Sequence, residues 1–152
     1  MDELQRYLEA HKIPAKLFEF DEHTMTVEAA SQRIGVEPSR IIKTLVLIGD
    51  DTKPLIAILT GDKRLNMDLL AREACVKKIR LATPKEVQLY TGFEVGAVPP
   101  IAHKNPIPIY IDHKVTTYDK VIAGGGKKNR LMEITSLDII KYSKGRVVKI
   151  GE

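Results

Sequence analysis

With 152 residues, of which 43% are hydrophobic and 29% charged, the chain has the size and balance of one globular domain with a real core, which excludes a disordered segment. Its 24 Lys and Arg against 20 Asp and Glu give +4, but residues 1–76 (10 basic, 13 acidic) carry −3 and residues 77–152 (14 basic, 7 acidic) carry +7. Apolar runs such as Leu45 to Ile48 and Leu55 to Leu59 are too short to span a bilayer, the acidic start at Met1 to Leu4 is no secretory signal, and the single Cys75 excludes an internal disulfide and a Cys-based zinc cluster, so a cytoplasmic protein is expected.

In chain order, Leu4, Tyr7 and Leu8 share a helical face after an Asp2 cap, and Pro14 stops that helix. Lys16 to Asp21 alternates with Phe18 and Phe20 on one side and reads as a strand. A helix follows from about Thr26 to Ile34, with Gly35 as its stop. Ile41 to Ile48 and Leu55 to Thr60 read as two apolar strands joined through Gly49-Asp50-Asp51 into a hairpin. A helix opens at Asn66 or Asp68 and carries Cys75 in an apolar setting (Leu69, Leu70, Ala71, Ala74), which predicts a buried thiol rather than a nucleophile. Lys77 to Leu81 is a short basic strand. Thr83-Pro84-Lys85-Glu86 is a capping box with Pro at the first helical position, opening a helix to about Thr91. Gly92 to Pro100 has no period and reads as a loop. Strands are expected at Ile107 to Asp112, Lys120 to Ala123 and Leu131 to Ile134, then a helix capped by Thr135 or Ser136 reaching Tyr142, and an edge strand at Val147 to Ile150. Consecutive strands and recurrent hairpin turns favour a single α+β domain over residues 1–152, with a mixed, largely antiparallel sheet and peripheral helices.

Three features carry chemistry. Lys43 interrupts an apolar strand that looks central; such a lysine either snorkels from a strand end or points into a cavity with an anionic or hydroxyl-rich occupant. The Gly92 to Pro100 loop permits close backbone approach and offers N–H groups to an oxyanion, though a plain surface turn has the same composition. Gly124-Gly125-Gly126-Lys127-Lys128 suits either a phosphate cradle or a hairpin turn, and it lacks the spacing of a Walker loop. His11, His23, His103 and His113 have no metal-ligand spacing, so neither metal nor cofactor is expected. No GxSxG elbow occurs. An enzyme built on these residues works by positioning and backbone donors rather than by a side-chain nucleophile. The charge split points to an acidic partner, nucleic acid included, on the C-terminal half; a solvated Lys-rich surface fits it equally.

In order and spacing, these elements resemble the YbaK/ProX family, free-standing relatives of the prolyl-tRNA synthetase editing domain. The resemblance rests on the strand ending near Phe20, Thr26 to Ala30, Ile42-Lys43-Thr44-Leu45, the Gly92-Phe93-x-Val95-Gly96-Ala97-Val98-Pro99-Pro100 loop, His103, Pro108, Asp112 and the Gly124 to Lys127 turn. It implies a barrel-like sheet surrounded by helices and a trans-editing deacylase that cleaves the ester of mischarged tRNA, Ala- or Cys-tRNA(Pro). It implies further that Lys43 is essential and anchors the terminal adenosine, and that Gly96 contacts the ester through its backbone. Phe20, Thr26 and Thr44 would line the aminoacyl pocket, and Gly92, Ala97, Pro99, His103, Gly124 and Gly125 would complete the substrate side. Lys127, Lys128 and Arg130 would hold tRNA. Prolyl-tRNA synthetase is a second candidate partner, and the chain is expected as a monomer or homodimer. The Gly-Gly-Gly-Lys-Lys turn, and Leu131 or a neighbour where some relatives carry an aspartate, depart from the family pattern near the amino acid. A non-catalytic tRNA- or nucleotide-binding module and a small-molecule ester hydrolase are the alternatives.

Overall fold

A computed structural model describes residues 1–21 and 27–152. The helix α1 (Glu3–Ala10) is opened by the expected Asp2 cap, reinforced by a reciprocal bond from the Asp2 N–H to Gln5 Oε1. The strand β1 spans Lys16–Glu19, α2 spans Val27–Ile34, and Gly35 ends that helix at φ +77°. A 3-10 turn at Pro38–Arg40, which the sequence pattern does not signal, delivers the chain into β2 (Ile42–Gly49). The hairpin partner β3 (Pro54–Thr60) pairs antiparallel with β2 along its whole length, Ile42 opposite Thr60 through Ile48 opposite Pro54. The helix α3 (Met67–Ala74) is capped by Asn66, and α4 (Pro84–Thr91) by the Thr83/Glu86 box. Between them lies β4 (Ile79–Leu81). The strands β5 (Ile109–Asp112), β6 (Lys120–Gly124) and β7 (Arg130–Thr135), the helix α5 (Ser136–Ser143) and β8 (Arg146–Val148) complete the chain.

Two sheets result. One runs β1-β7-β6 and the other β4-β2-β3-β5-β8. Four of the six strand pairings are antiparallel; β5 runs parallel to both β3 and β8. The sheets meet at one bridge, Ile41 to Ile122, and do not close into a barrel. The mixed α+β architecture expected from the sequence is otherwise what is found.

Period-two alternation sorts the core. On β2 and β3, Ile42, Val46, Ile56 and Ile58 face the space between the sheets, where they meet Val121, Met132, Ile134 and the α1 residues Leu4 and Leu8. Leu47, Leu55, Ala57 and Leu59 face the other way, onto Leu70 of α3. A smaller cluster of Ala30, Ile41, Ile122 and Leu131 packs α2 against the junction of the sheets, with Phe20 at its margin. With both faces covered, the β2–β3 hairpin is the rigid centre of the molecule.

Cys75 corrects the expectation of a buried thiol. It is exposed, because it falls past the apolar face of α3 at the C-cap, in the left-handed conformation (φ 58°) that ends the helix.

Candidate active site

The site arises from a gap in the larger sheet. On one side β2 is paired throughout with β3. On the other side it meets β6 only at Ile41 and β4 only at Leu47 to Gly49. Among the described residues, Lys43, Thr44 and Leu45 therefore have no strand neighbour on that side. Val46 sends its carbonyl outward to the Ala82 N–H (2.9 Å), so the alternation of the strand points the Thr44 peptide N–H and C=O into the same gap. A cleft of about 280 Å³ fills it. Its walls are Val27 and Ala30 of α2, the start of β2, Gly96 and Val98 of the loop, Ala123 and Gly124 of β6, and Leu131 of β7.

Lys43 is half-buried and donates from Nζ to the Lys63 carbonyl (2.5 Å). Burial holds its ammonium pKa below the ordinary lysine value; Asp62 nearby opposes that shift. Asp62 is itself claimed by Lys114 (2.5 Å), whose hydrogen bond holds the carboxyl below its usual range. An ammonium has three donors, and the Lys63 carbonyl takes one. The Thr44 Oγ1 lies buried at the cleft and has no partner among the described residues. An orphaned buried hydroxyl is costly in the empty protein and is satisfied by a polar ligand.

The opposite wall depends on glycine. Gly96 sits at φ +84°, which a side chain would resist, and brings bare backbone to the cleft. A Cβ on Gly124 would stand 2.4 Å from the Val98 carbonyl oxygen, so only glycine lets β6 approach the loop this closely. The Gly126 N–H donates to the Ala97 carbonyl (2.9 Å), clasping the triple-glycine turn to the loop.

Lys43, Thr44, Gly96 and Gly124 are thus brought together, with Ala97 directly behind the wall. Phe20 packs beneath the cleft against Ala30, Ile41 and Leu131 and is not part of its lining. Thr26 lies outside the described residues, as does His23. Gly92, Pro99, His103 and Gly125 are placed elsewhere. Gly92 is the left-handed C-cap of α4 and Pro99 is buried. The Gly125 N–H donates to the Arg130 carbonyl (3.0 Å) inside the hairpin. His103 donates from Nε2 to the Pro99 carbonyl (2.7 Å), and burial pushes its imidazole pKa down.

The basic turn also differs from expectation. Arg130 is buried, its side chain 1% exposed, with Nη1 on the Asp2 carboxylate (2.7 Å) and Nε on the Gly125 carbonyl (2.6 Å). It is a structural tie between α1 and the turn, not a surface group for tRNA. Lys127 stands near Asp2 (3.7 Å) and Glu19 (4.0 Å), and Lys128 near Glu94 (3.2 Å). The apolar lining from Val27, Ile42, Val98 and Ala123 is not marked in the sequence, because such residues read simply as core. Leu131, which does line the cleft, was visible as a departure from the family pattern.

The chain is thus a small α+β domain that opens its main sheet around one lysine, an orphaned hydroxyl and a glycine loop. A family model of the aminoacyl-tRNA editing domain matches residues 21–142, and the chain belongs to that family. EbsC of Enterococcus faecalis, provisionally named a Cys-tRNA(Pro)/Cys-tRNA(Cys) deacylase, is 31% identical over 147 residues, covering 95% of this chain and 90% of that protein. The proline–tRNA ligase of Thermotoga neapolitana is 34% identical over 104 residues, 68% of this chain but 18% of the ligase. A crystal structure of a protein provisionally described as a trans-editing enzyme for prolyl tRNA synthetase superposes with a TM-score of 0.88 at 29% identity, covering 100% of this chain and 98% of that one.

Proposed function

We propose that this chain is a trans-editing aminoacyl-tRNA deacylase that hydrolyses the ester between a wrong, small amino acid and the 3′-terminal adenosine of tRNA, with Ala- or Cys-tRNA(Pro) as substrate. The observation that carries the reading is the convergence of Lys43, Thr44 and Gly96 on one cleft in a chain of the editing family. At about 280 Å³ the cleft is below the ~300–1,000 Å³ typical of sites for drug-sized ligands, which suits a small aminoacyl end.

Water adds to the ester carbonyl, and the tetrahedral intermediate collapses to release the free amino acid and the ribose hydroxyl of tRNA. The chain supplies no side-chain nucleophile in this scheme. Lys43 anchors the terminal adenosine through its remaining N–H donors and fixes the ester relative to the loop. Backbone around Gly96 faces the developing oxyanion, and the Thr44 hydroxyl and peptide groups hold polar atoms of the aminoacyl group. A thiol on the substrate can replace water as the attacking group, in which case the protein needs only to orient it. The direct test is deacylation across tRNA(Pro) charged with Ala, Cys, Ser and Pro. Release of Ala or Cys with Pro-tRNA(Pro) spared is the expected result; no release from any mischarged tRNA contradicts the reading.

A further inference from the structure

The positive half of the chain has a second, separate feature. A groove of about 880 Å³ runs between α1, the segment 101–109 and the end of α5, and it shares no residue with the editing cleft. One wall is an aromatic ridge: the Tyr7 and His11 rings stack at 4.1 Å, and His11 meets the edge of Tyr142 at 5.6 Å. Lys104, Lys141 and Lys144 line the same groove, all three exposed. Among the described residues no carboxylate lines it, and none of these lysines has an ion-pair partner. That contrasts with Lys127, Lys128 and Arg130, whose charges are matched by Asp2, Glu19 and Glu94. The other wall is stiff: Pro106 and Pro108 flank Ile107, and Ala102 is held in the left-handed region at φ +70° without being glycine. Stacking faces beside unneutralised cations in one concave surface are what a single strand of nucleic acid requires, bases on the rings and phosphates on the ammonium groups.

We propose that this groove binds a single-stranded RNA segment, with bases extending the Tyr7–His11–Tyr142 ridge and phosphates on Lys104, Lys141 and Lys144. The proposal rests on the groove alone and does not depend on hydrolysis in the cleft. The segment 101–109 continues directly from the cleft loop, so RNA held here bears on the chain that carries Gly96.

The probe is a fluorescein-labelled, uncharged decaribonucleotide, titrated into the full chain by fluorescence polarisation over a salt series. The three exposed lysines, of which Lys141 also lies over the Tyr142 ring at 5.2 Å, are replaced together (Lys104→Ala, Lys141→Ala, Lys144→Ala). The expected result is at least about a tenfold loss of affinity and a flattening of the log K against log salt slope by about 2, given roughly 0.7 per single-strand phosphate contact. A second variant, His11→Ala with Tyr142→Leu, is expected to weaken binding about fivefold or more at an unchanged salt slope. Melting temperatures establish that both variants are folded, and hydrolysis of a short aminoacyl-adenosine ester stays at the wild-type rate in the lysine variant. Wild-type affinity and slope in the folded lysine variant overturn the proposal. So does displacement of the RNA by poly-glutamate as effectively as by unlabelled RNA, which would mark an acidic-protein surface. Loss of ester hydrolysis in the wild type, with RNA binding intact, counts against the deacylase reading and leaves the groove standing.

Discussion

Thr44 shows the cost of keeping a site ready for its ligand. Its hydroxyl is buried at the cleft without a partner among the described residues, and threonine and valine have nearly the same shape. Thr44→Val is therefore expected to leave the free protein as stable or more stable, by up to about 1 kcal/mol, while lowering kcat/KM for deacylation about tenfold. Thermal melting and single-turnover deacylation on the same variant check both halves. His103 supplies a pH dependence of a different kind. Burial lowers its pKa from the ordinary 6.5, so between that value and the folded one the unfolded chain binds the extra proton. Its contribution to stability is complete above about pH 6.5 and is lost as the pH falls through the folded pKa. The melting temperature of the wild type should fall more steeply from pH 7.5 to 5 than that of His103→Gln; parallel curves would show that the ring is not the titrating group.

The cleft is made by elements that stop short. The strand β4 covers only the far end of β2, and the β6–β7 hairpin reaches it only at Ile41. The clasp between hairpin and loop then sets the width of the opening. Gly124→Ala places a methyl group against the Val98 carbonyl, which is backbone and cannot rotate aside. It is expected to displace the loop and cut deacylation at least about tenfold, as small misplacements of catalytic groups do, while the hydrophobic core survives. Circular dichroism together with the deacylation rate separates the two effects. Much of this frame was legible in the sequence. The Asp2, Asn66 and Thr83 caps, Gly35 as a stop and the apolar hairpin are local signals that local chemistry obeys. The parallel pairing of β5 with β3 and β8 was not legible, because it joins segments distant in the chain with no turn to announce them. Cys75 misled for a related reason: its apolar neighbours belong to α3, but the helix ends one residue before it.

At the scale of the whole molecule, net charge by half does not show which positive side chains have carboxylates beside them. The cluster Lys127, Lys128 and Arg130 looks basic in sequence but is matched in space by carboxylates, Asp2 and Glu19 from the N-terminal half and Glu94 from the C-terminal half, with Asp2 on the buried Arg130 guanidinium. The open positive charge lies beside the aromatic ridge of α1 and α5. Lys43 was legible as a candidate because it breaks a local rule, a charge in an apolar strand, whereas Gly96 was singled out only through the family resemblance of its loop. Their meeting in one cleft needed the fold. That meeting is the centre of the account, and Lys43→Ala tests it most directly, through single-turnover hydrolysis of Ala- and Cys-tRNA(Pro) by wild-type and variant proteins of matched circular dichroism and melting temperature. The account predicts that the folded variant loses at least about a hundredfold in rate, the loss expected when an anchoring, charge-assisted contact is removed from the reacting end. Wild-type rates in the folded Lys43→Ala protein would contradict it.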